Sequence, residues 1–239
     1  SSYIRRKDMD SVLNCLVTDR LGPGVFADRF IKVAKERLGF EYAVAVRSPI
    51  VALRLSFECL GVGSGDRVGL SALSPSWAYK AVSSLGATPV WLDVDDSSAS
   101  LSAKAYDRLG EASVKALYLA EPWGIMPDPA PLAELGVPIV EDASYSIGAK
   151  AGEAKAGFLG TYGIISLEPA SSITAGGGAL LYSPGRREAQ ALRNASEGLS
   201  PEELMNDMNA ALAASQLKDL ERFIEKRREL ADLYAQSLA

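Results

Sequence analysis

The chain has 239 residues, 48% apolar and 23% charged, with a formal net charge of −5; this is ordinary globular usage and gives nucleic acid no electrostatic reason to bind. It contains no histidine and only two cysteines, Cys15 and Cys59, without CxxC spacing, which excludes a Ser-His-Asp triad, a histidine acid/base and a zinc site by inventory. No apolar run reaches the roughly 18 residues that span a bilayer, and the opening SSYIRRKDMDSV has no h-region; a cytoplasmic protein forming one large domain over 1–239 is expected.

Apolar residues at Met9, Val12, Leu13 and Leu16, and again from Phe26 to Leu38, recur at helical spacing, with LGPG at 21–24 separating the two segments. A β-rich run over 42–47 precedes Ser48-Pro49, where serine suits an N-cap and proline the first turn of a helix running to Leu60. Strand then alternates with helix: 67–72 and 76–85, 88–94 and 102–109, 114–120 and a short helix near Pro131. That alternation predicts parallel βαβ units. Runs at 138–143, 163–167 and 178–182 bring the count to about seven strands, and the last two are too close in sequence for a crossover helix, so that pair is expected to be antiparallel. A helix over 185–193 and a long one from near Pro201, with apolar residues from Leu204 to Tyr234, close the chain. The expected architecture is a three-layer α/β/α sandwich on a mostly parallel seven-stranded sheet.

In open α/β sheets ligands sit beyond the carboxyl ends of the strands. Four groups fall there. Ser48-Pro49-Ile50 opens a helix and could face a phosphate or simply cap. Glu141-Asp142 ends the strand PIVED and could pair with a cationic ring nitrogen or a metal, or cap the next segment of chain. Ser166 could donate to phosphate or bond its own backbone, and Ala175-Gly-Gly-Gly178 could admit a ligand or only turn a hairpin.

Taken together with LGPGVFADRF, YAVAVRSPIVALRLSFECLGVGSGDRV, LGATPVWLDVD, VEDASYSIGA and the C-terminal MNDMNAALAASQLKDLERFIEKRRELADLYAQSL, these groups resemble the DegT/DnrJ/StrS sugar aminotransferases. The resemblance covers nearly the whole chain. It implies a fold-type I enzyme using pyridoxal phosphate (PLP), with sites built across a homodimer. The phosphate loop would fall on Ser48, Pro49 and Ile50, the aspartate pairing with the pyridinium nitrogen on Asp142, and a phosphate-contacting serine on Ser166; only Asp142 and the two serines keep the family's residue. The Schiff-base lysine would fall on Ser171, or on Ala170 if the register slips by one, and the chain has no lysine between Lys155 and Lys218.

Other departures accompany it. The ring-stacking aromatic falls on Pro75, with Trp77 the nearest substitute, the family's glutamine on Tyr145, the partner-reaching asparagine on Glu202 and an arginine on Leu204. Pro49 lacks an N–H, and Ile50 replaces a hydroxyl. The family's small C-terminal domain would begin about where the sequence stops. Lys80, Lys150 and Lys155 read as solvated surface. The expectation is therefore an aminotransferase-like homodimer without catalytic residues or metal, whose cofactor site would comprise Asp142, Ser48, Ile50, Trp77 and Ser166. No resident cofactor is expected, although the resemblance admits PLP or pyridoxamine phosphate (PMP), and the expected guest is a partner protein or a nucleotide-sugar-like ligand. Two alternatives stand: a PLP or PMP enzyme without an internal aldimine or completed by a paralogous subunit, and a structural or regulatory dimer.

Overall fold

The computed structural model describes residues 3–19 and 21–238. Its centre is a seven-stranded sheet in the order β1 (Tyr42–Val46), β9 (Ala179–Ser183), β8 (Tyr162–Ser166), β5 (Ile139–Asp142), β4 (Ala116–Ala120), β2 (Arg67–Ser71), β3 (Thr88–Leu92). Pairs β2–β3, β2–β4, β4–β5 and β5–β8 are parallel, while β9 runs antiparallel to both its neighbours. The Gly-rich connection from β8 to β9, residues 167–178, contains no helix, and the chain returns antiparallel without the crossover helix that usually joins parallel neighbours. A two-stranded hairpin, β6 (Lys150–Ala151) with β7 (Ala154–Lys155), inserts between β5 and β8 and has no counterpart in the expected elements.

Helices cover both faces, which is why the inner strands read as apolar runs rather than as alternations. On one face α3 (Pro49–Cys59), α4 (Ser76–Ser84) and α7 (Arg186–Ser196) bury Leu53, Phe57, Ala78, Val82 and Leu192 against Val46, Leu70, Tyr118, Val140 and Ile164. On the other, α2 (Val25–Leu38) and α8 (Asp207–Lys218) pack Phe30, Ala34, Ala210 and Leu217 on Ala45, Ile165 and Leu180. Further along that face, α5 (Ala103–Glu111) and α6 (Pro129–Glu134) pack Leu109 and Leu132 on Leu92, Leu119 and Ile139. No helix among the described residues is long and apolar enough to cross a membrane.

The helix α1 (Arg6–Val17) forms as its spacing predicts, but it turns a different face inward. Met9, Leu13 and Leu16 are exposed, whereas Asp8 and Cys15 are buried. Asp8 accepts bonds from the Arg5 backbone N–H (2.8 Å), Ser215 Oγ (2.5 Å) and Gln216 Nε2 (3.1 Å), so α8 offers a polar socket where the apolar pattern suggested packing. The expected long helix from near Pro201 is also corrected. Residues 203–205 run along the free edge of β1, with Arg47 N–H donating to Glu203 O (2.7 Å) and Met205 N–H to Ala45 O (3.0 Å). Asn206 then caps α8 by accepting from Asn209 N–H at 2.9 Å, and a break at Asp219 separates α8 from α9 (Leu220–Leu238).

Glycine is required beside Tyr182. A Cβ at Gly163, the second residue of β8, would lie well inside contact distance of Tyr182 Cζ on β9. Gly163→Ala is expected to lower unfolding free energy by about 1–3 kcal/mol through overpacking. Gly110→Ala, in open space on α5, should instead stabilise by about 0.5–1 kcal/mol through helix propensity. Urea unfolding of the two variants checks both signs, and equal effects would contradict the packing account.

Candidate functional site

The central strand β5 ends in two adjacent acids, and strand alternation sends them to opposite faces. Glu141 turns toward Tyr182 and is 0% exposed. Its carboxylate accepts from the backbone N–H groups of Gly157 (2.6 Å), Leu159 (2.6 Å) and Gly160 (3.1 Å), tying down the connection to β8. Asp142 takes the other face. Its Oδ2 accepts from the Tyr118 hydroxyl at 2.6 Å, and its Oδ1 accepts from Ser144 N–H at 3.0 Å and from the Ser144 hydroxyl. Burial pushes the Asp142 carboxyl up, and these donors oppose that shift. Tyr118 is driven well above the usual phenol range by burial and then by the Asp142 charge beside it.

A third carboxyl joins them. Glu121 follows β4 directly, shares the Glu141 face and is 2% exposed. The Ser146 hydroxyl donates to its Oε2, while its Oε1 has no hydrogen-bond donor. Burial, and then the neighbouring Glu141 charge, push Glu121 up to about 9. Two carboxyls this close do not both ionise readily, so one proton stays with the pair at neutral pH and Glu121 carries it. Glu141 is itself raised by burial, with Glu121 and the three backbone donors acting the other way.

Over these strand ends lies a cavity of about 520 Å3 whose lining includes Trp77, Glu121, Asp142, Ser144, Ser166, Glu168 and Ser171, with Trp123 and Tyr145 at its rim. Trp77 stands edge-on to Tyr118, with ring centroids 5.7 Å apart at 74°. Ser144 links the floor: its hydroxyl donates to Asp142 and accepts from Ser166 N–H at 2.7 Å. The Ser166 hydroxyl in turn lies 3.3 Å from Ser171 Oγ and 3.4 Å from Glu168 N–H. Of the residues singled out in the sequence, Asp142, Ser166, Trp77, Pro75, Tyr145 and Ser171 thus meet in one place.

Others do not join them. Ser48 caps α3 by accepting from Val51 N–H at 3.4 Å, Pro49 is buried, and Ile50 packs on the core; none of the three lines the cavity. Ala170 is exposed beside the buried Ser171, so Ser171 is the residue of that pair that reaches the cavity. The glycines at 176–178 all take positive φ, and Gly178 packs against Met205, which makes them a turn. Glu202 is exposed, and Leu204 is bridged to Val46. Lys80, Lys150 and Lys155 are exposed, as expected. Sequence reasoning missed Tyr118, Ser144, Glu121 and Glu168. Glu121 had a signal available, since an acid directly after the apolar strand ALYLA repeats the pattern of Glu141 and Asp142 after PIV.

The raised Glu121 carboxyl has a consequence for stability. The folded chain holds its proton up to about pH 9, whereas a free glutamate loses it near 4.5. The stabilisation from this group is therefore complete below about pH 4.5 and is lost as pH rises through about 9. Glu121→Gln keeps a neutral donor in place. It is expected to flatten the decline in stability between pH 5 and 9 and to exceed the wild type by roughly 2 kcal/mol at the alkaline end. Denaturant unfolding across that range checks this, and parallel curves for the two proteins would contradict it.

Known proteins share this fold. The model of the DegT/DnrJ/EryC1/StrS aminotransferase family matches residues 2–239. GDP-perosamine synthase of Caulobacter vibrioides is 26% identical over 249 residues, covering 97% of this chain and 67% of that protein. The aminotransferase TlmJ from Streptoalloteichus hindustanus superimposes with a TM-score of 0.88 at 29% identity, over 99% of this chain and 70% of that one. Spr1654 of Streptococcus pneumoniae in its PLP form reaches 0.89 over 98% of this chain and 69% of that one, and a PMP form is also known; at 18% identity it supports the fold alone. With a seven-stranded sheet of matching topology and a family model spanning almost every residue, the chain belongs to the DegT/DnrJ/EryC1/StrS aminotransferase family.

Proposed function

We propose that this chain is a ligand-binding member of that family that does not transaminate by itself. The observation that carries the reading is the absence of an amine from the cavity: Ser171 stands buried where the resemblance calls for lysine, and no lysine or arginine is among the described lining residues. Serine cannot form an imine, and without histidine in the chain nothing offers it the usual activating base. Pyridoxal phosphate fits this site at one end only. Asp142 would partner a ring nitrogen, and Trp77 lines the same cavity. The aldehyde end would meet a hydroxyl, however, and the residues to which the resemblance assigns the phosphate do not serve it: Ser48 caps α3, Pro49 has no N–H, Ile50 is aliphatic, and all three lie outside the lining.

The chemistry of the relatives suggests a nucleotide-sugar-like guest, since one of them is a GDP-perosamine synthase. Trp123, 73% exposed, and Tyr145, 50% exposed, stand together at the cavity rim. An apolar rim of this kind favours a homodimer built around the site, or a paralogous subunit that completes it. Trp77, by contrast, is half-buried against the core, so the interface would rest on the other aromatics.

Mixing the protein with PLP, reducing with borohydride and mapping by mass spectrometry should leave every lysine unlabelled; stoichiometric labelling of one, such as the exposed Lys80, would defeat the reading. Ser171→Lys should not raise the glutamate half-reaction above that of free cofactor, because the phosphate end is deficient independently. A rescued half-reaction would show that the single lysine was the whole deficit. Sedimentation equilibrium at micromolar concentration should give a dimer, and a single species at monomer mass would reject the homodimeric arrangement.

A further inference from the structure

Three carboxyl groups, those of Glu121, Asp142 and Glu168, line the cavity, and no basic side chain among the described residues lines it with them. Glu121 and Asp142 are 2% and 6% exposed, so water does little to solvate either. Asp142 is satisfied by Tyr118 and Ser144 but has no cationic partner among the described residues, whereas Glu121 holds the proton it shares with Glu141 and adds no charge. A buried carboxylate without a counter-ion is costly. A cation entering the cavity would pair with Asp142.

The remaining walls suit the same guest. Trp77, Trp123 and Tyr145 present aromatic rings, whose faces attract organic cations. Nothing comparable awaits a phosphate dianion. The Ser48 hydroxyl is spent on Val51 N–H, and the start of α3 lies outside the lining. Ser166 remains as a single hydroxyl donor, its oxygen accepting from Glu168 N–H, and the Glu168 side chain lines the same cavity, where it would repel an anion.

We propose that this cavity selects a flat organic cation without a phosphate group, such as an aromatic ring bearing a protonated amine, over the phosphorylated form of the same molecule. The proposal rests on the reading above that this cavity is the ligand site. Pyridoxamine and pyridoxamine 5′-phosphate differ only in the phosphate, and isothermal titration calorimetry of the purified chain with each isolates that term. Pyridoxamine is expected to bind at least about tenfold more tightly. Asp142→Asn should weaken pyridoxamine by about the same factor. Because Asp142 also holds Tyr118 and Ser144, the half-buried Glu168→Gln provides a second variant, expected to keep the native circular dichroism and to narrow the preference by tightening the phosphate ester. Equal or tighter binding of the phosphate ester, or no heat from either compound, overturns the proposal while leaving the non-transaminating reading intact. A borohydride-trapped lysine would overturn that reading and leave the preference standing.

Discussion

Burial of two neighbouring acids at the end of the central strand is the constraint on which the rest of the site depends. A strand in the middle of a doubly covered sheet has no solvent on either face, so Glu141 and Asp142 must each find donors inside the protein. Glu141 is satisfied by three backbone N–H groups of the connection to β8, which thereby acquires a defined path. Asp142 is satisfied by Tyr118 and Ser144, and Ser144 carries the order onward to Ser166. Removing either acid would leave several buried donors unpaired, a larger loss than that of one hydrogen bond.

The same arrangement explains the character of the cavity. Family membership accounts for the sheet and the helical layers over it, which come with the fold. The polarity of the lining is set by this chain's own residues. Serine at 171 and glutamate at 121 and 168 give it acids and hydroxyls, with no amine among the described lining residues. The architecture does not depend on the polarity of this lining, because the layers are held by apolar packing away from the strand ends.

Long-range polar contacts shape the edges in a comparable way. Arg5 and Lys7 both pair with Asp219, and Asp8 is held by Ser215 and Gln216, so the first helix is docked to the α8–α9 junction through charge and hydrogen bonds. That docking leaves Met9, Leu13 and Leu16 exposed.

Much of the fold was legible in the chain itself. The alternation of strand and helix, the Ser48-Pro49 helix start, the reversal between β8 and β9 and the place of Asp142 at a strand end follow from local periodicity, capping chemistry and connection length, which operate over a few residues. The inward face of α1, the break at Asp219 and the capture of residues 203–205 by the edge of β1 were decided only in three dimensions, because each depends on partners more than 150 positions away. The cavity divides along the same line. Sequence named Asp142, Ser166 and Ser171 as neighbours in function. Only the packed sheet showed that Glu121 and Tyr118 complete their surroundings and that Ser48 and Ile50 lie outside, since which side chains share a low-dielectric space is set by the register of β4 against β5 and not by their separation along the chain.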